Sequence, residues 1–283
     1  MCRRATIARL SAMKRDYKAE SQKQWDGDPC GAVTAEGLVP GSPEFFARIE
    51  SERYDIYAPW MREAMGFGAY AGKRVLEIGP GLGTDHAQFA RAGARMFALD
   101  LARRHLELTR QRFSHEGLVT RPVHSDAERL PFPDASFDVV YSFGVLHHTP
   151  DTNAAVSEVH RVLRPSGVAI VGLYHRHSAF FWVRTILVRG VLRGRLVNPG
   201  YRRILAEIEH RAPGSDAVPL VKVYSRSECR RLFSTFSEAR IRTDHIDLPH
   251  CLPPAPPTSG AARRRLERLG RRWGWYVTVT ATK

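Results

Sequence analysis

Three glycines at alternate positions, Gly79, Gly81 and Gly83, follow the apolar run Lys73–Ile78 and precede a stretch of helical character that begins at Thr84. Glycine is needed where a backbone must turn sharply and pass close to a ligand with no Cβ in the way. A buried strand running into such a loop marks the crevice beyond the carboxyl ends of a parallel sheet, where sheets of this kind bind ligands. Dinucleotide-binding loops use the spacing Gly-x-Gly-x-x-Gly. Here the spacing is Gly-x-Gly-x-Gly, and Thr84 stands where the last glycine of that pattern would be. Asp100 ends a second apolar run, seventeen residues past Gly83. An ionised carboxylate there is acceptor-only, and its two oxygens can take hydrogen bonds from both hydroxyls of a ribose. These residues point to a bound nucleoside without saying which one, and capping of the next helix is the structural alternative for Asp100.

Residues able to move protons stand at the ends of two further apolar runs. His147 and His148 follow Phe137–Phe143, and Tyr174, His175 and His177 end or follow Val168–Tyr174. Imidazole exchanges a proton near neutral pH, so His147, His148, His175 and His177 are candidate bases, and Tyr174 is a candidate for orienting a substrate. The four cysteines, Cys2, Cys30, Cys229 and Cys251, are scattered without metal-ligand spacing. They read as free thiols of a reducing cytoplasm. No His/Asp/Glu cluster has ligand spacing in the sequence either, so no metal is expected.

The stretch that follows separates the nucleosides. Ser125-Asp126-Ala127-Glu128-Arg129-Leu130-Pro131-Phe132-Pro133 is succeeded by Ser136-Phe137-Asp138-Val139-Val140, Gly144-Val145-Leu146-His147-His148 and Leu163-Arg164-Pro165-Ser166-Gly167. In this order, with the glycine loop and Asp100 before it, the series closely resembles the class I S-adenosylmethionine (SAM)-dependent methyltransferases. The resemblance is strongest to the type 11 group, which includes quinone-pathway and natural-product enzymes. It covers roughly Tyr54 to His177 well and the C-terminal third in outline.

The resemblance implies SAM as cofactor, with S-adenosyl-L-homocysteine as its product. Glu77 and the loop Gly79-Pro80-Gly81-Leu82-Gly83 would surround the methionine part, and Pro80 stands where cysteine is common. Asp100 would hold the ribose and Leu101 would pack beside the adenine. Asp126 and Ala127 would meet the adenine edge through a carboxylate and a backbone N–H, and Phe143 would line the pocket near the reacting sulfur. The double histidine also belongs to the family pattern, which leaves a structural role open to it.

The alternation of strand and helix signals points to an α/β fold with a parallel sheet, and the resemblance implies its form: a doubly wound, Rossmann-like, seven-stranded mixed sheet whose last strand is antiparallel. Strands are expected at Lys73–Ile78, Arg95–Asp100, Pro122–Ser125, Phe137–Phe143, Val168–Tyr174, Ala239–Ile246 and Trp275–Thr282. Helices are expected at Thr84–Gly93, Ala102–Glu116, Thr152–Leu163 and Ser227–Phe236, with Arg164–Gly167 as a turn. The last two strands suggest a terminal hairpin across the Pro-rich stretch Pro249–Pro257 and the basic segment Arg263–Arg272. Four regions result: an N-terminal helical arm (1–70), a cofactor-binding core (71–177), a helical lid insertion (178–224) and the rest of the sheet (225–283). In the arm, Ile7–Lys23 can form a basic helix, from which Tyr17 and Trp25 could offer aromatic faces to a sulfonium. Such a contact is worth about 0.5–2 kcal/mol. In the insertion, Phe180, Phe181, Trp182, Ile186, Leu187 and Val188 mix with arginines. A stretch like this can roof an apolar pocket, bind a membrane surface or pair with another subunit; a lid over a hydrophobic small molecule is the leading reading.

Composition narrows the partners. At 283 residues with 43% apolar content the chain can bury one large core, and no apolar run reaches the length of a membrane span. The first ten residues lack the apolar stretch of a secretory signal, which suits a cytoplasmic protein. The net charge of +14 comes from 43 basic residues, of which only six are lysine. Neither concentration, Arg184–Arg203 or Arg263–Arg272, carries the aromatic interleaving of an RNA module. The expected function is therefore methyl transfer to a small, hydrophobic metabolite, a natural-product or prenylated/aromatic acceptor. An RNA methyltransferase and a non-catalytic SAM-binding scaffold are the alternatives. The arm could also reach a neighbouring copy in a homo-oligomer.

Overall fold

The structure, a computed structural model, describes residues 16–210, 217–246 and 260–283, without the side chains of residues 198, 199 and 260–264. The part of the expected arm helix before residue 16, the Pro-rich stretch 249–257, Cys2 and Cys251 lie outside the described residues. Helices α1 (Tyr17–Gly27), α2 (Pro43–Ser51) and α3 (Met61–Met65) precede the sheet. Strand and helix then alternate as β1 (Arg74–Ile78), α4 (Thr84–Arg91), β2 (Arg95–Asp100), α5 (Arg103–His115) and β3 (Thr120–His124). They continue as β4 (Phe137–Phe143), α6 (Thr152–Val162) and β5 (Leu163–Tyr174). A π-helical segment, Phe180–Leu192, and α7 (Tyr201–Ala206) follow. The chain ends through α8 (Arg226–Leu232), β6 (Glu238–Asp244), α9 (Gly260–Trp273) and β7 (Tyr276–Thr282).

The seven strands form one sheet in the order β3-β2-β1-β4-β5-β7-β6. The first five are parallel, and β7 pairs antiparallel with both β5 and β6. Side chains alternate across a strand, and here both faces are covered. Leu76, Phe97 and Val140 pack into one core with Val156 and Val159 of α6. Their neighbours Val75, Met96 and Val139 pack into a second core with Phe89 of α4 and Met61 and Met65 of α3. This two-sided burial is why the strands read as continuous apolar runs rather than alternating ones.

Two expectations are corrected. The turn at Arg164–Gly167 lies inside β5 as a bulge: Phe137 pairs with Leu163 while Val139 pairs with Val168, and Ser166 takes φ 62°. The terminal hairpin is replaced by a helical connection. β6 and β7 are antiparallel neighbours, but α9 links them, and the segment read only as basic is that helix. Its apolar positions Leu266, Leu269 and Trp273 are sparse among arginines, so periodicity alone was a weak signal. The tertiary contact that fixes it is the Arg271 carbonyl, which accepts from the Thr243 hydroxyl and the Arg226 guanidinium.

The insertion leaves and rejoins the core at one neck, where His175 bridges Tyr224. Its Phe180 and Phe181 are buried against Tyr174, Trp275 and Tyr276. Among the described residues no helix is long and apolar enough to cross a membrane.

Candidate active site

The sheet order reverses between β1 and β4, so the chain leaves these strands toward opposite faces and a crevice opens at their carboxyl ends. A cavity of ≈ 550 Å³ occupies it, inside the range of about 300–1,000 Å³ usual for small-molecule pockets. Gly79 (φ 76°) is packed so tightly that a Cβ would stand 2.3 Å from Val145 Cγ2. Among the described residues, none has an atom within 4 Å of where a Cβ on Gly81 (φ 57°) would be. The first glycine closes the turn and the second leaves backbone facing open space on the cavity wall, with Pro80 between them. Gly83 caps α4 and lies off the wall.

Asp100, at the end of β2, is 7% exposed and faces the cavity. Its Oδ1 accepts the Ala102 N–H at 2.8 Å, and its Oδ2 lies 3.0 Å from His105 Nδ1. His105 Nε2 accepts the Cys30 N–H at 3.3 Å, which places the ring proton on Nδ1, donated to Asp100. A carboxylate offers about four acceptor positions, so two remain for incoming hydroxyls.

The strand before the loop carries Glu77, buried with His86 Nδ1 at 2.8 Å; His86 Nε2 lies 2.8 Å from the Thr120 hydroxyl. Burial pushes His86 down to about 3, so the ring is neutral. Burial and the neighbouring Asp85 push Glu77 well above the usual carboxylate range. Asp85 is held low by Arg53, which binds it at 2.6 Å through both Nε and Nη2. The hydroxyls of Tyr54 and Tyr141 each donate to it at 2.6 Å. Cys30 also touches the cavity, as a free thiol of an exposed residue.

From α1, Lys18, Ser21 and Trp25 line the cavity. Their spacing, i, i+3 and i+7, puts them on one helix face. Lys18 Nζ binds the carboxylates of Asp126 and Glu128, so Asp126 reaches the cavity already shared with the arm; Leu101 and Ala127 are on the same wall. Trp25 stands edge-on to the His148 ring at 5.6 Å and 6.3 Å from His105. Tyr17, expected to face the cofactor, is rotated off that face. Its hydroxyl accepts from Arg202 at 2.8 Å, tying the arm to the insertion.

The other end of the cavity is aromatic, with Tyr57, Phe143, Tyr174 and Tyr276 on its wall. His148 donates from Nδ1 to the Leu220 carbonyl at 2.6 Å, which leaves Nε2 toward Glu209 at 3.7 Å. The Tyr174 hydroxyl donates to Glu209 at 2.8 Å. Burial and Glu209 push the Tyr174 phenol well above its ordinary range.

The structure thus brings His148 and Tyr174 to the cavity and leaves the candidate bases His147, His175 and His177 off its wall. His147 lies behind, fully buried, its ring 3.9 Å from Tyr174 and 4.2 Å from His148. Burial, with His148 and Lys222 nearby, keeps it well below the usual imidazole range. His175 is one residue past Tyr174 and therefore points to the other face of the strand. There its Nδ1 donates to the Gly274 carbonyl at 3.0 Å.

Sequence reasoning missed Glu209, His105 and the Arg53–Asp85 pair. His105 had a local signal, five residues after Asp100 on the first turn of a helix. Glu209 sits in the mixed stretch YRRILAEIEHR and had none.

Residues 76–171 match the family described as a methyltransferase domain, the span from β1 to β5 that carries Glu77, the glycine loop, Asp100 and Phe143. The chain is 39% identical over 100 residues to methyltransferase GfsG of Streptomyces halstedii, covering 34% of this chain and 36% of the relative. It is also 39% identical over 102 residues to a demethylmenaquinone methyltransferase of Clavibacter sepedonicus, covering 36% and 41%. The chain therefore spans well under half the length of these curated relatives. The fold is shared with an S-adenosylmethionine-dependent methyltransferase from Mesorhizobium loti, with TM-score 0.54 and 21% identity over 81% of this chain and 99% of that one.

Proposed function

The core of this chain belongs to the class I SAM-dependent methyltransferases of the type 11 group, and from that premise we propose that the protein methylates a small, hydrophobic acceptor. The observation that carries the reading is Asp100, buried at the tip of β2 with two acceptor positions left over, beside the open backbone of Gly81. When bound, SAM supplies an electrophilic methyl group on a sulfonium and leaves as S-adenosylhomocysteine. Asp100 receives the ribose hydroxyls. Glu77 and Gly79-Pro80-Gly81 border the methionine part, where a cation would draw Glu77 toward its ionised form. Leu101, Asp126 and Ala127 border the adenine, with Lys18 covering Asp126 from outside.

Phe143 divides this end from the acceptor end. There Tyr57, Tyr174 and Tyr276 offer aromatic surface, and His148 and Glu209 offer the polar groups. Holding an acceptor in line with the methyl group can lower the barrier by about 7–11 kcal/mol, and a base adds about 10²–10⁴-fold when the acceptor must lose a proton. His148 is the base this wall offers. The insertion 178–224 acts as the lid on that side and the arm 1–70 covers the cofactor side. An apolar, aromatic-walled pocket suits a natural-product or prenylated/aromatic acceptor of secondary metabolism, in keeping with a relative named for demethylmenaquinone. Free thiols at Cys30 and Cys229 accord with a reducing cytoplasm.

Calorimetric titration tests the reading. SAM is expected to bind the wild type, and Asp100→Ala to weaken it at least about tenfold through loss of charge-assisted hydrogen bonds. Unchanged affinity in the variant overturns the ribose assignment. Absence of binding by both SAM and S-adenosylhomocysteine overturns the function.

A further inference from the structure

We propose that His147, His148 and Glu209 form a binding site for a divalent transition cation of the zinc type, open toward the acceptor end of the cavity. One ligand atom from each of the three lies within 4.8 Å of the others. Glu209 is brought there by the insertion, far along the chain from the double histidine.

Each member is prepared for the role in a different way. His148 has its tautomer fixed by the Nδ1–H bond to the Leu220 carbonyl, so the free lone pair is on Nε2, 3.7 Å from Glu209 Oε1. A backbone carbonyl on the far nitrogen is the usual way a metal-binding imidazole is oriented. Glu209 is 8% exposed at its side chain, and among the described residues no lysine or arginine forms an ion pair with it; the basic group beside it is the neutral His148 ring. The Tyr174 hydroxyl steadies it at 2.8 Å. His147 is the most telling. It is 0% exposed, and neither ring nitrogen has a hydrogen-bond partner among the described residues. Buried polar atoms are nearly always paired, and a ligand bond to a cation would satisfy one of these.

Two imidazoles and one carboxylate form a donor set that suits zinc and its first-row neighbours; oxygen-only sets suit magnesium and calcium. Bonds of about 2.0–2.2 Å place two ligands at most about 4.2 Å apart across the ion. The His148–Glu209 distance is already inside that span, and the widest separation closes with sub-ångström side-chain shifts. His148, Glu209 and Tyr174 line the cavity, so the remaining coordination positions face it, as in sites that take an exchangeable oxygen ligand. In a methyltransferase that ligand would be an oxygen of the acceptor, whose proton the cation would loosen in place of His148, because the Nε2 lone pair that makes His148 a base is then bound; this role rests on the function proposed above, whereas cation binding does not.

The test uses the full chain after dialysis against a chelator. Calorimetry with Zn²⁺ should show uptake of one equivalent, and Co²⁺ should give visible d–d absorption of a protein-bound ion. Glu209→Gln, which keeps an acceptor for Tyr174, and His147→Phe, which keeps the ring packing, should each weaken Zn²⁺ at least about tenfold. Both should abolish the Co²⁺ band while SAM still binds, which shows that the variants are folded. Absence of Zn²⁺ uptake by the wild type, or uptake unchanged when His147, His148 and Glu209 are all replaced, overturns the site. If Zn²⁺ uptake responds to these substitutions but SAM does not bind the wild type, the cation site stands and the methyltransferase reading falls.

Discussion

A single strand position separates a cavity residue from a structural pin at Tyr174 and His175, and the pin has a measurable signature. Burial pushes the His175 imidazole down to about 4, against the opposing pull of its bond to the Gly274 carbonyl. In the unfolded chain the ring takes its proton near its ordinary value of about 6.5. Between those two values the unfolded state binds more protons, so this contribution to stability is full above pH 6.5 and is lost as pH falls toward 4. The slope is at most about 1.4 kcal/mol per pH unit. His175→Asn retains an N–H donor and does not titrate, so its urea-unfolding free energy should fall less steeply than the wild type's between pH 6.5 and 4. His86 shifts in the same direction and Glu77 in the opposite one, but both are common to the two proteins and cancel in the comparison. Parallel slopes would show that His175 is not held neutral in the folded chain. The same alternation explains what residue types alone could not say: five proton-carrying candidates were legible, and only the fold decides which of them faces the cavity.

At the scale of elements, α1 is the component that joins the parts of the site. Lys18 holds Asp126 and Glu128 of the core. Glu20 accepts the Val218 N–H at 2.9 Å and Gln24 donates to the His210 carbonyl at 2.6 Å, both in the insertion. Trp25 fills the space between, beside His105 at the ribose end and His148 at the acceptor end. Burying a large apolar side chain is worth about 1.5–3 kcal/mol. Trp25→Ala should therefore weaken SAM by about tenfold or more, mostly through faster release in stopped-flow measurements, with the far-ultraviolet dichroism unchanged. Equal release rates would mean that α1 does not cover the bound cofactor. The core elements around this helix were legible because strands buried on both faces read as apolar runs that end in glycine or acid. The joining contacts were not. Lys18 and Gln24 are ordinary residues of a polar helix, and Glu209 looks like the solvated acid of a charged stretch until the insertion folds back over His148.

For the molecule as a whole, the decisive element comes last in the chain and sits inside the sheet. β7 lies between β5 and β6, pairing Tyr276–Thr282 with Val168–Tyr174 on one side and Glu238–Asp244 on the other. Val277 and Val279 are fully buried and Ala281 nearly so, all in the larger core. Lys283 then fastens the β5 bulge, its carbonyl accepting the Ser166 N–H at 3.2 Å and its ammonium reaching the Leu163 carbonyl at 2.8 Å. A parallel sheet grown strand by strand along the sequence would be complete without its final segment; this one is not, since β5 and β6 do not touch without β7. One of the six strand pairings, β5 with β7, thus joins residues more than a hundred positions apart, which is why the sequence pointed to an antiparallel end but misread its connection. Deleting residues 276–283 should leave two unpaired strand edges and an open core, and yield a chain without a cooperative thermal transition. Val279→Ala, which keeps every backbone bond and removes only buried methyl groups, should cost about 1–3 kcal/mol in urea unfolding. Cooperative melting of the truncated chain would show that the first five strands and their helices are a self-sufficient fold, and that β7 is an accessory to it.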